Sequence, residues 1–214
     1  METEEQELEA LKEWWQEYGR TIVVGVVIGL GGVFGWTSWQ NHQQSQAEKA
    51  SMFYQRLIDD AARDRHQAVG KQAASLADEF SNSGYAALAA LLAAKSAYAE
   101  NDLEGAKRQL VWMISQPGES SFKDIARIRL ARLLIQENNL DEALSTLNGI
   151  DDDAFSATAN EVRGDIRYLE GDMVGARTAY QKALTGDTIP GAMRSRVQMK
   201  VDDLGVTDAG SLAG

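Results

Sequence analysis

From Thr21 to Trp39 the chain runs for 19 residues without a charged side chain, TIVVGVVIGLGGVFGWTSW. Wound as a helix rising 1.5 Å per residue, such a stretch measures about 28 Å, close to the ~30 Å hydrocarbon layer of a bilayer. Its nine Val, Ile, Leu and Phe residues favour insertion by roughly 3–5 kcal/mol, and its five glycines erode that gain. Aromatic residues bracket it, with Trp14, Trp15 and Tyr18 before and Trp36 and Trp39 at the far end. Trp and Tyr favour the headgroup layer, so the brackets mark two interfaces. The segment reads as a membrane-spanning helix.

Two other readings fit less well. A cleavable signal peptide has a basic start and a small-residue cleavage site, whereas here an acidic stretch of 20 residues comes first and no such site follows. Gly29-Leu30-Gly31-Gly32-Val33-Phe34-Gly35 imitates a dinucleotide-binding loop. Such a loop opens an amphipathic helix and is followed by an acidic strand end about 20 residues on. This one displaces the third glycine and runs straight on into Trp36-Thr37-Ser38-Trp39 and a polar segment.

The glycines suit helix contact in lipid. Gly25 and Gly29 make one small-xxx-small pair and Gly31 and Gly35 another, while Gly25, Gly29 and Gly32 share a face. Small residues let a second helix approach closely where packing replaces the hydrophobic effect. Gly25, Gly29, Gly32 and Gly35 are therefore the candidate positions for contact with another membrane helix. Orientation is nearly tied by charge, with Lys12 and Arg20 on one side and Lys49 and Arg56 on the other. Arg20 abuts the apolar run, which leans toward a cytoplasmic N-terminus. In the tail, Leu8, Leu11, Trp15 and Tyr18 fall on one helical face suited to lying along the interface.

The formal charge of −11 divides around this segment. Residues 1–20 carry seven Glu and two basic residues, net −5, which leaves about −6 for residues 40–214. An acidic chain without a basic stripe repels phosphate backbones, so nucleic acid is not an expected partner. The absence of cysteine excludes a disulfide framework, a thiolate metal site and a catalytic thiol. His42 and His66 are the two histidines, and both read as solvated. Asp151-Asp152-Asp153 lacks the alternating ligands of a calcium loop and reads as a helix cap near Ala154. No Walker loop, Gly-x-Ser-x-Gly or histidine paired to a nucleophile occurs, so neither a catalytic site nor a cofactor is expected.

Beyond the apolar run, hydrophobic residues recur at helical spacing and three segments repeat a pattern. Ala94–Ala106, Ala131–Ala143 and Gly164–Ala176 each place small residues 12 apart, and successive copies are displaced by 37 and 33 residues. A fainter copy runs from Ala62 to Ala74. Small side chains allow two antiparallel helices to cross closely. Asn101-Asp102, Asn138-Asn139 and Gly171-Asp172 suit the turn between them, where left-handed geometry and an N-cap are needed. Leu110, Leu147 and Tyr180 follow the second small residue by four and fill the gap to the next pair. The period is near the ~34 residues of tetratricopeptide repeats. The expected fold class is all-α: one N-terminal transmembrane helix, then a tetratricopeptide-like helical-repeat solenoid closed by a C-terminal capping helix.

That cap begins at Pro190 and carries the apolar stripe Met193, Val197, Val201 and Leu204. Residues 40–64 read as a helix turning Met52, Phe53, Leu57 and Ile58 toward the first pair. The organisation is then a tail (1–20), an anchor (21–42), a repeat domain (43–205) and a flexible tail (206–214). Stacked helix pairs offer a groove lined by the first helix of each pair. The candidates are Leu88, Leu91, Lys95 and Tyr98, then Ile128, Arg132 and Ile135, then Glu161, Asp165 and Tyr168. Apolar and aromatic positions with isolated charges suit an extended or helical peptide.

The order of features resembles the YfgM family, ancillary subunits of the bacterial SecYEG translocon. The matching pieces are Lys12-Glu13-Trp14-Trp15, Val24-Gly25-Val26-Val27-Ile28-Gly29, Gly35-Trp36 and Trp39-Gln40-Asn41-His42-Gln43. Further on come Tyr85-Ala86-Ala87-Leu88-Ala89, Leu130-Ala131-Arg132, Gly171-Asp172, Gly175-Ala176-Arg177 and Met199-Lys200-Val201-Asp202-Asp203-Leu204. The resemblance implies a single-pass inner-membrane protein with a cytoplasmic N-terminus and a periplasmic repeat domain. It also implies association with the SecYEG translocon and with the membrane-anchored periplasmic prolyl isomerase PpiD, and hand-over of unfolded or nascent periplasmic proteins to chaperones. The competing role for such an architecture is a membrane-tethered scaffold of another envelope complex, in cell division or outer-membrane assembly.

Overall fold

A computed structural model describes the backbone of residues 2–211 apart from 118–119, 151 and 187–188. Side chains are described over 12–205, apart from those positions and residues 13, 22 and 120. Helices follow one another throughout: α1 (Glu2–Ala62), α2 (His66–Glu79), α3 (Gly84–Ala99), α4 (Leu103–Ser115), α5 (Ser120–Gln136), α6 (Leu140–Leu147), α7 (Asp153–Leu169), α8 (Met173–Leu184) and α9 (Gly191–Ser211). By contact the chain forms two units, 1–49 and 50–214. The expected boundary between anchor and repeat domain, at residues 42–43, falls inside α1.

In the first unit, α1 holds the one stretch among the described residues that is long and apolar enough to cross a membrane. Its best window has a mean hydropathy of 1.8 with none of it buried in protein. The hydroxyl of Thr37 donates back to the carbonyls of Val33 and Phe34 at 3.0 and 3.1 Å, so this polar group is satisfied within the helix. The rings of Trp36 and Trp39 lie tilted with centroids 5.3 Å apart, and those of Trp14 and Tyr18 at 6.1 Å. A β-carbon added at Gly25, Gly29, Gly31, Gly32 or Gly35 would meet nothing within 4 Å, so each of these positions is open. Of the expected interfacial face, Leu8 and Leu11 lie outside the described side chains, while Trp15 and Tyr18 are exposed.

The second unit is four helix pairs' worth of repeat closed by α9. Each first helix ends in the same left-handed turn, at Asp64 (φ 54°), Asn101 (φ 62°), Asn138 (φ 62°) and Gly171 (φ 81°). Only glycine adopts such φ freely, and Asn and Asp follow. The turns share their hydrogen bonds too. Arg65, Asp102, Asn139 and Asp172 donate backbone N–H to Asp60, Ala97, Leu134 and Arg167 at 2.8–2.9 Å, capping orphan carbonyls at each helix end.

These turns fix the register of the repeat. The crossing residues Ala94, Ala106, Ala131, Ala143 and Ala176 are at most 4% exposed. The fainter first copy is out of register: Ala62 and Ala74 are both exposed. Counting seven back and five on from Asp64, as in the other turns, gives Leu57 and Val69, both fully buried. The first pair thus places large side chains at its crossing, and a search for small residues misses it. The inward face of α1 is Ala50, Phe53, Tyr54, Leu57 and Ala61, the helical i, i+3, i+4, i+7, i+11 stripe. Met52 and Ile58, expected on that face, are 59% and 38% exposed.

From α2 on, neighbouring helices pack in sequence order, and α3 touches α5 as α5 touches α7, so these three first helices line up side by side. Leu110, Leu147 and Tyr180 fill the core as expected, at 2%, 0% and 3% exposure. In α9, Met193, Val197 and Leu204 are buried against α8. Pro190 stands just before the helix, its carbonyl accepting from the Arg194 N–H at 3.0 Å, and not within the first turn. The backbone of the tail expected to be flexible stays helical to Ser211, and 212–214 lie outside the described residues. Asp152 caps α7 by accepting from the Ala154 N–H at 2.9 Å. His66 opens α2 half-buried with Nδ1 enclosed, and is not the solvated residue the charged run around it suggests.

Candidate functional site

The repeat register aligns the candidate residues in three rows across α3, α5 and α7. Leu91, Ile128 and Glu161 make one row, Lys95, Arg132 and Asp165 the next, and Tyr98, Ile135 and Tyr168 the third. The rows differ in exposure. Leu91 and Ile128 are 7% and 5% exposed and belong to the central core, so they hold the repeats together and offer nothing to a ligand. Lys95, Arg132, Tyr98 and Tyr168 face solvent, while Leu88 and Ile135 are half-buried.

Between α3 and α5 lies an open groove of about 390 Å³. Ala94, Leu110 and Leu133 are its buried apolar lining, and Lys95, Tyr98, Arg129, Arg132 and Gln136 complete it. Three of its side chains are cationic and none is a carboxylate. Arg129 leans across the gap and donates from Nη1 to the Leu91 carbonyl of α3 at 3.3 Å. Burial, with the neighbouring Arg132, pushes the Arg129 guanidinium below its ordinary value. Lys95 and Arg132 have no ion-pair partner among the described residues.

The same rows are closed at α7. Glu161 is buried and accepts both guanidinium hydrogens of Arg196, Nε and Nη2 each at 2.7 Å, and the Lys200 ammonium at 3.0 Å. Lys200 also donates to Asp165 at 2.6 Å, and Asp165 accepts from the Tyr180 hydroxyl at 2.8 Å. Burial alone would raise the Glu161 carboxyl, but the Arg196 and Lys200 hydrogen bonds outweigh it and bring it down to about 2. Burial, with the hydrogen bond to Asp165, raises the Tyr180 phenol well above its ordinary value. Glu161 and Asp165 are therefore anchors for the capping helix, and Tyr168 is the candidate of α7 left facing solvent.

The structure thus gathers Lys95, Tyr98 and Arg132 into one site and separates them from Glu161 and Asp165. Arg129, Leu133 and Gln136 escaped the sequence reading. A helical count would have found them, since Arg129, Arg132, Leu133 and Gln136 follow i, i+3, i+4, i+7. Arg196 and Lys200 also escaped it, though a cationic i, i+4 pair on the last helix mirrors the acidic i, i+4 pair Glu161 and Asp165. Among the described residues no group of His, Asp or Glu could hold a metal ion.

Residues 12–206 match a family described as a tetratricopeptide repeat-like domain. A Haemophilus influenzae protein named ancillary SecYEG translocon subunit is 37% identical over 180 residues, 84% of this chain and 88% of that protein. The Escherichia coli protein of the same name is 32% identical over 205 residues, 96% of this chain and 98% of that one. An Aggregatibacter actinomycetemcomitans protein, again of that name, is 35% identical over 84% of this chain. The family match spans the apolar stretch of α1 and the repeats together. With an apolar α1 leading into helix pairs capped by α9, the chain belongs to the tetratricopeptide repeat-like family of ancillary SecYEG translocon subunits.

Proposed function

We propose that this chain is a single-pass inner-membrane protein that associates with the SecYEG translocon and binds segments of proteins crossing the membrane. Its near full-length similarity to proteins named ancillary SecYEG translocon subunit is the observation that carries the reading. In it, residues 1–20 are cytoplasmic, 21–42 span the bilayer, 43–205 form the periplasmic repeat domain and 206–214 end it. The groove between α3 and α5 takes the emerging chain, with Tyr98 and the apolar lining meeting its hydrophobic side chains. The protein associates with the membrane-anchored periplasmic prolyl isomerase PpiD and passes its clients to periplasmic chaperones. The role needs no catalytic step and no cofactor.

Gly25, Gly29 and Gly32 supply the contact to a translocon helix in this reading, since their face carries no side chain to keep a neighbour away. Photocrosslinkers placed at Gly29 and at Tyr98 in intact cells test both halves. Position 29 is expected to capture an integral translocon subunit, and position 98 many newly exported chains, each at low occupancy. Stoichiometric capture of one folded envelope protein at position 98 would overturn the client reading in favour of a scaffold.

A further inference from the structure

The α3–α5 groove and the α7–α9 junction use equivalent positions of the repeat, and comparing them shows what the groove lacks. At the junction, the row residue Asp165 on the first helix meets Lys200 of the next helix at 2.6 Å, and Glu161 one turn before it is held by Arg196 and Lys200. Every charge there finds its opposite within the chain. In the groove the equivalent row is Lys95 and Arg132, with Arg129, also on α5, spending hydrogen-bonding capacity on the Leu91 carbonyl. No carboxylate lines it, and Lys95 and Arg132 stay unpaired among the described residues. Three cations gathered beside an apolar lining, on a chain of net charge −11, form a local positive site on a negative protein.

We propose that the groove is selective for acidic peptide segments of a partner protein, in which Asp or Glu side chains bridge Lys95 and Arg132 while an adjacent apolar side chain enters between Tyr98, Leu110 and Leu133. This rests on the groove being the client site, and names the chemistry of what it takes. Two carboxylates replace the internal partners that Glu161 and Asp165 provide for the cap. Arg132 presents a planar fork matched to a carboxylate, and Lys95 a compact charge beside it. The rest of the acidic surface repels the same segment, so binding is confined to this groove and weakens with salt.

The test is fluorescence anisotropy on the full chain in detergent, with a labelled, end-capped decapeptide of alternating Glu, Asp and Leu, and its Gln/Asn isostere. The acidic peptide is expected to bind at least tenfold more tightly than the isostere. Lys95→Glu with Arg132→Glu is expected to abolish that preference, while Lys182→Glu on the exposed face of α8 leaves it unchanged. Circular dichroism of each variant verifies that helicity is kept. Equal binding of both peptides, with Tyr98→Ala weakening both, overturns the acidic preference and leaves the groove reading standing. If neither the charge reversal nor Tyr98→Ala changes the binding of either peptide, the groove itself is refuted as the site.

Discussion

The ring of Tyr180 on α8 packs against Gly164 on α7, where a β-carbon at position 164 would overlap the ring carbons Cδ1 and Cε1. In the two preceding repeats the equivalent pairs are Ala94 with Leu110 and Ala131 with Leu147. The larger side chain is matched by the smaller partner, so the crossing is filled in all three. Tyr180 in return sends its hydroxyl to Asp165 at 2.8 Å and joins the cap network.

Gly164→Ala is therefore expected to destabilise the domain by about 1–3 kcal/mol, the usual cost of overpacking a full core. The same change in a Tyr180→Leu background restores the Ala–Leu pair of the other repeats and is expected to cost far less. Urea unfolding followed by circular dichroism on the four members of the cycle measures the coupling. Additive effects would mean that the ring and the glycine do not compensate each other.

Glu161 gives the domain an acid-sensitive joint. Its carboxyl sits at about 2 in the folded chain against an ordinary 4.5, so its contribution is complete above about pH 4.5 and is lost as pH falls toward 2. Glu161→Gln removes the charge that Arg196 and Lys200 share, while Lys200 keeps Asp165 and Arg196 reaches solvent, and is expected to cost about 1–3 kcal/mol at pH 7. The variant should show a flatter stability profile between pH 5 and pH 3 than the parent. Parallel profiles would place the acid sensitivity elsewhere.

How much of this was legible beforehand depends on what each residue's role leaves in the sequence. Helix hairpins left a strong mark, because Asn101, Asn138 and Gly171 are among the few residue types that accept a positive φ, and small residues 12 apart recur around them. The first hairpin hid because Leu57 and Val69 stand at its crossing, so its signature is the turn at Asp64 and not a small side chain. Among the candidate site residues, the repeat register was legible and the facing of each side chain was not. Leu91 and Ile128 lie one turn from Lys95 and Arg132, yet the former pack into the central core and the latter stay open. Glu161 and Asp165 look like groove charges until α9 brings Arg196 and Lys200 over them, a pairing 35–39 residues away in sequence.

That distinction has a direct consequence for mutagenesis. Leu91→Asp and Ile128→Asp each bury an unpaired carboxylate in the central core, and together they are expected to remove most of the helical signal of the repeat domain. Tyr98→Asp changes a residue that is 51% exposed and is expected to leave stability within about 0.5 kcal/mol. Thermal melts of the two variants separate them. A cooperative, parent-like melt of the Leu91/Ile128 variant would contradict the core assignment.

The second helices show a parallel contrast at their starts. Asp102 and Asp172 each accept from the N–H three residues on, Gly105 and Gly175, at 2.8 Å. A β-carbon at either would collide with the aspartate carboxylate as it is folded over the glycine, so glycine permits this close rotamer. In α6 the equivalent position is Glu142, whose β-carbon fills that space, and Asn139 makes no side-chain cap. Asp102→Ala and Asp172→Ala are accordingly expected to cost about 1 kcal/mol each, while Asn139→Ala costs no more than a few tenths. Denaturation midpoints of the three variants read the difference, and an Asn139→Ala loss equal to the other two would show that the Asn139 side chain caps α6 in solution.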